Sequence, residues 1–463
     1  MNSNSSSTSS QSSLSEENQI LFRNPLEKSL NILMVSCFCS PNVGGVETHM
    51  HCISEAMALK GHSVTILTHK YGERRGVRYL CNGVKVYYLP TSVVKNSAAM
   101  LTFLASYPYF WSIINRESID IIHYHQLLSA TGIEAVTYGS IMGIPTVLTN
   151  HSLMDMTSMD CLYANAALKG VSCCLDHIIG VSMATKESMV LGGRIDPSKV
   201  SVIPNAVQSQ NFTPATKPKG RIVISVVSRL VYRKGIDLLA YSIPEICNRH
   251  DNVDFVIAGD GPKMALLQQI IEDHGLHDRV NLLGVIPHSQ VRDVVSQSHI
   301  FFNTSLTDAF NISIVEAALC GCLVVSSNVG AIPSVLPPDI MTTADPVVSD
   351  LVEAACVAIE RAPSVDPFKQ HERAKNFYCW FDVGDRVLNV YDTLLKSERL
   401  TLVDRLKYSY SCGPYYGKFL CLILLTNFFV QMIWRMFKPA HKIEKAIKVY
   451  NNDLKEKDEE KDM

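Results

Sequence analysis

Arg229, Lys234, Asp308 and Glu316 are the residues of this 463-residue chain whose types and spacing point most directly to chemistry. They lie in two segments, V-S-R-L-V-Y-R-K-G-I-D-L-L and S-L-T-D-A-F-N-I-S-I-V-E-A, with a third of the same design, V-I-A-G-D-G-P, between them. Each joins an apolar strand-like run to a Gly-containing or polar turn and the start of an amphipathic helix. In an open α/β sheet that order gathers strand ends and helix N-termini around one crevice. Arginine grips phosphate oxygens through parallel bonds, and lysine acts as a point charge. Two cations for a diphosphate and a carboxylate for sugar hydroxyls fit a nucleotide-sugar site.

The turn residues extend the candidate donor site. Gly259, Asp260 and Gly261 form the second turn, and Ala309, Phe310, Asn311 and Ile312 lead into the third helix, where unpaired N–H groups attract anions. Glu316 has apolar neighbours Ile314, Val315, Ala317 and Ala318, so its carboxylate needs a partner. Asp308 reads equally as a ligand carboxylate or as a helix N-cap. Arg229 and Lys234 taken alone read as solvated cations; their place at a strand's C-terminal end favours function.

In the first half, Pro41-Asn42-Val43-Gly44-Gly45-Val46-Glu47 follows the first strand. Gly44 and Gly45 either let a ligand approach the backbone or make a tight strand-to-helix turn. The spacing is not G-x-G-x-x-G, so a dinucleotide cofactor is not indicated. His123, His125 and His151 fall at the ends of two strands, where they can contact a sugar or a lipid headgroup. His151 is the best placed for a sugar. Clustered histidines also suit metal, but no Asp/Glu pattern completes a triad, and satisfied core histidines are the commoner case.

These residues require alternating strands and helices. Strand-like runs fall at 31–37, 64–68, 84–89, 119–123, 146–149, 177–181 and 200–204, with a helix at 47–60. A second series falls at 221–227, 253–258, 280–283, 300–303 and 323–326. Short buried strands separated by helices mean parallel sheets with right-handed crossovers. The expected fold is α/β: two doubly wound Rossmann-like domains facing a cleft. The N-terminal domain spans 30–206, residues 207–220 form a linker, and the C-terminal domain spans 221–400. A late helix at about 382–400 either stays with the second domain or crosses back to the first. The Ser-rich residues 1–20 are expected to be disordered.

Hydrophobic residues make up 47% of the chain, and the net charge of -2 gives no reason to invoke nucleic acid. The 14 cysteines lack C-x-x-C spacing and read as reduced thiols in a cytosol-facing protein. The N-terminus lacks a signal-peptide pattern. Residues 419–434 are uninterrupted by charge and read as a membrane segment, with a buried or interfacial helix as the alternative. The tail at 441–463 is charged. Cations flank the segment on both sides, so the positive-inside rule puts the tail in the cytosol. Cytosolic catalytic domains then conflict with a single span.

G-G-V-E-T-H at Gly44, N-H-S at Asn150, V-I-P-N-A-V at Val202, S-R-L-V-Y-R-K-G at Ser228, A-G-D-G-P at Ala258 and V-E-A-A at Val315 resemble retaining GT-B glycosyltransferases. Their order, with H-S-V-T-I-L-T-H, N-G-V-K-V-Y-Y-L-P and the C-terminal apolar segment, is most similar to the PIG-A-like family, the catalytic subunits of phosphatidylinositol N-acetylglucosaminyltransferase. The resemblance covers roughly residues 30–440. It implies an enzyme that moves N-acetylglucosamine from UDP-N-acetylglucosamine to phosphatidylinositol, the first step of glycosylphosphatidylinositol (GPI) anchor synthesis. It further implies the cytosolic face of the endoplasmic reticulum membrane and small membrane subunits as partners. No cofactor or metal is expected, because the cations are built in and no D-x-D-like pair is placed for one. Arg229 and Lys234 would hold the diphosphate, Glu316 the ribose, Gly44 and Gly45 the diphosphate or acceptor, and His151 the donor sugar. The chain departs from the family at three places. Asp308 stands for Glu, Asn150 for Asp, and Gly330-Ala331-Ile332-Pro333-Ser334 for Gly-Gly-x-Pro-Glu. Asp308, Ala331 and Ser334 motivate one alternative, a non-catalytic nucleotide-sugar-binding scaffold; a further alternative keeps the glycosyltransferase but changes the acceptor to another lipid or sugar.

Overall fold

The computed structural model describes residues 26, 28–42, 44–80, 83–91, 93–95, 98–99, 101–102, 104–154 and 159–447. The Ser-rich 1–20 and the tail from 448 therefore lie outside the described residues. The chain divides into two compact units. One comprises the residues up to Gly180, Lys186–Ile203 and the chain from Trp380; the other comprises Val181–Thr185 and Pro204–Cys379.

The first unit contains β1 (Asn31–Val35), α1 (Gly45–Leu59), β2 (Ser63–His69), β3 (Gly76–Tyr79), β4 (Lys85–Leu89), a small hairpin of β5 (Val93–Lys95) and β6 (Ala98–Ala99), and α2 (Tyr107–Arg116). It continues with β7 (Ile121–His125), α3 (Ala130–Met142), β8 (Thr146–Asn150), α4 (Met159–Val171), β9 (His177–Gly180), α5 (Met183–Gly192), whose first three residues fall in the other unit, and β10 (Val200–Val202). Its eight-stranded sheet runs β10-β9-β8-β7-β1-β2-β4-β3, with only β3 antiparallel. β1, β7 and β8 are buried along their whole length, as parallel strands covered on both faces must be. Leu33, Val35, Ile122, Tyr124 and Leu148 form the centre of the core with Phe110 and Trp111 of α2. Each such apolar side chain contributes about 1.5–3 kcal/mol by leaving water.

β7 begins and ends two residues later than the 119–123 run suggests, so His123 is mid-strand. Strands β3 and β16 (Met341–Ala344) are not signalled by the sequence pattern; every residue of β3 is exposed, which removes the apolar signal.

In the second unit, β11 (Ile222–Val227), α6 (Ile236–Arg249), β12 (Val253–Ala258), α7 (Met264–Asp273), β13 (Val280–Gly284), α8 (His288–Ser296), β14 (Ile300–Asn303), α9 (Ile312–Leu319), β15 (Leu323–Ser327) and β16 alternate. Helices α10 (Val348–Arg361) and α11 (Pro367–Ala374) complete it. Its parallel sheet runs β13-β12-β11-β14-β15-β16. The order reverses between β11 and β14, and ligands of such sheets bind beyond the strand ends at that point. Residues 207–220, expected as a linker, are tied down: Lys217 Nζ donates to the carbonyls of Ser296, Ser298 and Cys320 at 3.0, 2.6 and 3.0 Å. A cation there suits the C-terminal ends of α8 and α9.

The helix expected at 382–400 is α12 (Trp380–Lys396), and it packs in the first unit, so the second unit ends at Cys379 rather than 400. Buried Lys60, at the end of α1, pairs with Asp385 at 2.9 Å, and Tyr391 is buried on β7. These long-range partners leave no trace in helix periodicity. Helices α13 (Leu402–Ser411) and α14 (Tyr416–Phe437) follow.

Gly235 precedes α6 with φ +65°, and a Cβ there would lie 1.7 Å from the Thr304 carbonyl oxygen. Gly235→Ala is expected to lower the melting temperature by several degrees, since the backbone conformation alone costs about 1–3 kcal/mol. An unchanged melting curve would mean that the exits of β11 and β14 separate freely.

Candidate active site

In the second unit the predicted residues converge at the exits of β11, β12 and β14. Ser228 N donates to Ala258 O at 3.1 Å and Leu230 N to Asp260 O at 2.9 Å, so the Arg229 loop is zipped to the Gly259-Asp260-Gly261 turn. Gly259 has φ +141°, and its missing Cβ makes room for the Ser228 carbonyl, 1.8 Å away from where that atom would sit. The Arg229 guanidinium stands exposed, with no ion-pair partner among the described residues.

Lys234 is fixed differently. Its Nζ lies 2.6 Å from Asp308 Oδ2, with both side chains mostly buried. The Lys234 backbone carbonyl accepts from Thr304 Oγ1 at 3.1 Å. Asp308 is not the helix cap: Asn311 occupies the N-cap of α9, with left-handed φ 60° and no side-chain cap bond. Asp308, the shorter acid, still reaches Lys234, and its carbonyl accepts from Ala331 N at 3.1 Å. The departure at 331 therefore contacts the departure at 308 through backbone alone. Ser334 Oγ turns back on the Ala331 carbonyl at 2.8 Å.

Below the α9 start lies a polar network. Asn303 Oδ1 accepts from Ser305 Oγ at 2.9 Å and from Asn311 Nδ2 at 3.1 Å, while Asn303 Nδ2 donates to Ser326 Oγ at 2.8 Å. It holds the 309–312 segment in place. Phe310 itself packs edge-to-face on Tyr378 and is buried, so only its backbone can meet a ligand.

Glu316 on α9 is buried, and its Oε1 lies 3.3 Å from His288 Nε2. The need of this carboxylate for a partner is legible in the sequence; the identity of His288 is not, because nothing there ties the start of α8 to α9. The bond to Glu316 raises the His288 pKa above the ordinary imidazole value, against the opposing effect of burial.

The first unit brings the second group together. β8, β7 and β1 are adjacent, which places the residues following each strand on one sheet edge. His125 Nδ1 and His151 Nε2 are 3.4 Å apart, and the His49 ring lies 4.6 Å from the His151 ring and 5.2 Å from the His125 ring. His49, from the G-G-V-E-T-H segment, is the residue that sequence reasoning misses here. Potential ligand atoms of His49, His125 and His151 all lie within 4.8 Å of one another, a spacing that can hold a metal ion. Burial and the neighbouring imidazoles hold the His125 and His151 pKa values well below the usual range, so both are neutral at pH 7. Asn150 ties down the turn after β8, its Nδ2 donating to Ser152 O at 2.9 Å. Gly44 and Gly45 open α1 with Thr48 N donating to Gly44 O at 3.0 Å. The φ of 178° at Gly44 demands no glycine.

His123 does not join a binding surface. It is fully buried, its Nδ1 and Nε2 lie 2.6 Å from Tyr391 OH and 2.7 Å from Thr149 Oγ1, and burial lowers its pKa to about 3. His125 is also fully buried, which leaves partly exposed His151 as the accessible imidazole of the three expected ones. Tyr391→Phe is expected to destabilise the fold by about 1–3 kcal/mol by stranding a buried polar group, with the donor KM unchanged. A raised KM at unchanged stability would return His123 to a binding role.

Two family models match the chain: PIGA (GPI anchor biosynthesis) over residues 69–158 and Glycosyl transferases group 1 over residues 207–354. The chain is 42% identical over 90% of its length to the A-type subunit of phosphatidylinositol N-acetylglucosaminyltransferase from Arabidopsis thaliana, spanning 94% of that protein. It is 43% identical over 90% of its length to the Homo sapiens protein of the same name, spanning 87% of it. Among solved structures, sucrose-phosphate synthase from Thermosynechococcus elongatus aligns with TM-score 0.67 over 80% of this chain and 100% of that one, at 18% identity. That likeness carries the GT-B fold.

Proposed function

Since the chain belongs to the PIG-A family of phosphatidylinositol N-acetylglucosaminyltransferase subunits, we propose that it transfers N-acetylglucosamine from UDP-N-acetylglucosamine to phosphatidylinositol, the first step of GPI-anchor synthesis. The observation that carries this reading is the cluster of Arg229, Lys234, Asp308 and Glu316 around the point where the sheet order reverses.

In this reading Glu316 accepts the ribose hydroxyls and the start of α9 offers N–H groups to the diphosphate. The bond between sugar C1 and the phosphate oxygen breaks, and the electron pair leaves with the UDP. Arg229 and Lys234 stabilise the charge that develops there. The inositol oxygen bonds to C1 on the same face, and the leaving phosphate oxygen takes its proton, so the configuration is retained. His151 offers a neutral imidazole to a sugar hydroxyl. Nothing in this scheme calls on a dissociable cofactor.

Relatives are named as subunits, and the chain works as a membrane-associated member of a complex. We place it on the endoplasmic reticulum with both units in the cytosol, among small membrane subunits. The test is transfer of radiolabelled N-acetylglucosamine to phosphatidylinositol by membranes depleted of this protein and resupplied with it. Restored product supports the reading; product on a competing lipid instead would replace the acceptor.

A further inference from the structure

The loop that leaves β2 concentrates positive charge. Residues 70–78 read K-Y-G-E-R-R-G-V-R, four cations against one carboxylate in a chain of net charge -2. Lys70, Arg74, Arg75 and Arg78 are exposed, and none forms an ion pair among the described residues. Like charges this close repel one another, so the fold gains nothing from the cluster itself.

The loop is held in shape. Tyr71 and Arg74 exchange backbone bonds, Tyr71 N to Arg74 O at 3.2 Å and Arg74 N to Tyr71 O at 2.8 Å. Tyr71 OH donates to Cys37 O and accepts from Cys39 N at 3.0 Å. On β4, Tyr88 OH donates to Ser40 O at 3.0 Å. Two phenols thus clamp the 37–40 turn, which leads into Gly44 and Gly45. Arg74 joins this clamp. Burial raises the Tyr88 pKa, and Arg74 opposes the rise through a side-chain hydrogen bond. A guanidinium has five N–H donors, so one such bond leaves most of them for a ligand.

The position of the loop narrows what that ligand is. Strands β8, β7, β1 and β2 lie side by side and run parallel, so their exits share one sheet edge with the Gly44 turn, His125 and His151. The segments leaving β1, β7 and β8, residues 36–44, 126–129 and 151–158, contain no Lys or Arg. The imidazoles there are neutral. Of these four exits, only that of β2 brings cations. The proposed acceptor carries a phosphodiester beside its inositol ring, and an ionised phosphate leaving water needs charge-assisted donors. Arg229 and Lys234, in the other unit, serve the donor diphosphate.

We infer that Arg74, with Lys70 and Arg75 adding to the field around it, binds the phosphodiester of the acceptor headgroup at the edge that carries Gly44 and His151. The inference rests on the acceptor named above and adds the residue that meets its charge.

The test uses the full chain in its affinity-purified membrane complex, in mixed micelles whose phosphatidylinositol fraction is varied. Arg74→Gln keeps a donor for Tyr88 and removes the charge. It is expected to raise the KM for phosphatidylinositol by about ten- to a hundredfold, with the KM for UDP-N-acetylglucosamine and the melting temperature unchanged. Arg74→Lys should recover part of the loss. An unchanged acceptor KM, or an equal rise in both KM values, would overturn the proposal. A second arm needs no sugar transfer: equilibrium binding of glycerophosphoinositol, the headgroup without acyl chains, to the purified full chain. Arg74→Gln is expected to bind it about tenfold or more weakly than wild type, and equal binding would overturn the proposal. If wild type moves the sugar to another lipid, the proposed acceptor falls, and the second arm still decides whether Arg74 holds a phosphodiester. If Arg74→Gln keeps its acceptor KM but loses attachment to vesicles of phosphatidylcholine and phosphatidylserine, the loop is a general contact for anionic surfaces and the headgroup assignment fails.

Discussion

Replacing Arg229 by alanine is expected to lower sugar transfer by about 10²–10³-fold, the usual cost of removing one donor aimed at developing charge. The melting temperature should scarcely move. The guanidinium is exposed and makes no ion pair among the described residues, and such surface changes stay within about 0.5 kcal/mol. Its backbone is held by the bonds of Ser228 and Leu230 to the neighbouring turn, so the loop survives the truncation. Arg229→Lys restores charge without the two-pronged geometry and should recover only part of the rate. Turnover of both variants is measured in resupplied membranes beside thermal unfolding of the purified chains. Near-normal turnover by the alanine variant would remove Arg229 from the diphosphate.

Arg229 is placed ahead of Lys234 for a structural reason. Lys234 already directs its charge at Asp308, 2.6 Å away, so its field at a bound diphosphate is partly cancelled at source. Removing it would also leave a mostly buried carboxylate unpaired, mixing a stability loss with a rate loss. Arg229 separates the two effects cleanly.

The same contrast explains how much of the site the sequence discloses. Arg229, Lys234 and the Gly259-Asp260-Gly261 turn follow strands whose apolar runs are unmistakable, and a parallel sheet places the ends of its central strands together. Chemistry at strand ends is therefore readable from strand order. His123 escapes that logic because a two-residue shift in β7 moves it from the strand's end to its middle, where Tyr391 and Thr149 occupy both ring nitrogens. Tyr391 comes from a helix 268 residues later, and no local pattern announces that return. His288 and His49 stay hidden for a related reason. Each lies on a helix whose neighbour is set by tertiary packing alone. Helix α14 is legible as an apolar run, but a run of composition does not tell which face is covered; the inward Asn427 and Gln431 do.

Glu316→Gln should cost less rate than loss of Arg229 and should report on two roles at once. The glutamine keeps the shape and an acceptor oxygen but loses the charge. Hydrogen bonds to a charged group are worth about 1.5–3 kcal/mol, so kcat/KM for UDP-N-acetylglucosamine is expected to fall by roughly 10–100-fold. The second readout is the partner. Bonding to Glu316 raises the His288 pKa, so the stability this pair contributes is present below the unfolded value near 6.5 and is lost as pH rises through the higher folded value. The wild-type melting temperature should therefore drift downward above about pH 6.5, and that component should vanish in Glu316→Gln. Because His288 is half exposed, the drift is small, but its disappearance needs no substrate. Flattened pH dependence with full transfer would leave Glu316 as a structural partner of His288 and remove it from the ribose; lost transfer together with flattened pH dependence would place one buried carboxylate in both tasks, with His288 holding it ready until the donor's hydroxyls take over.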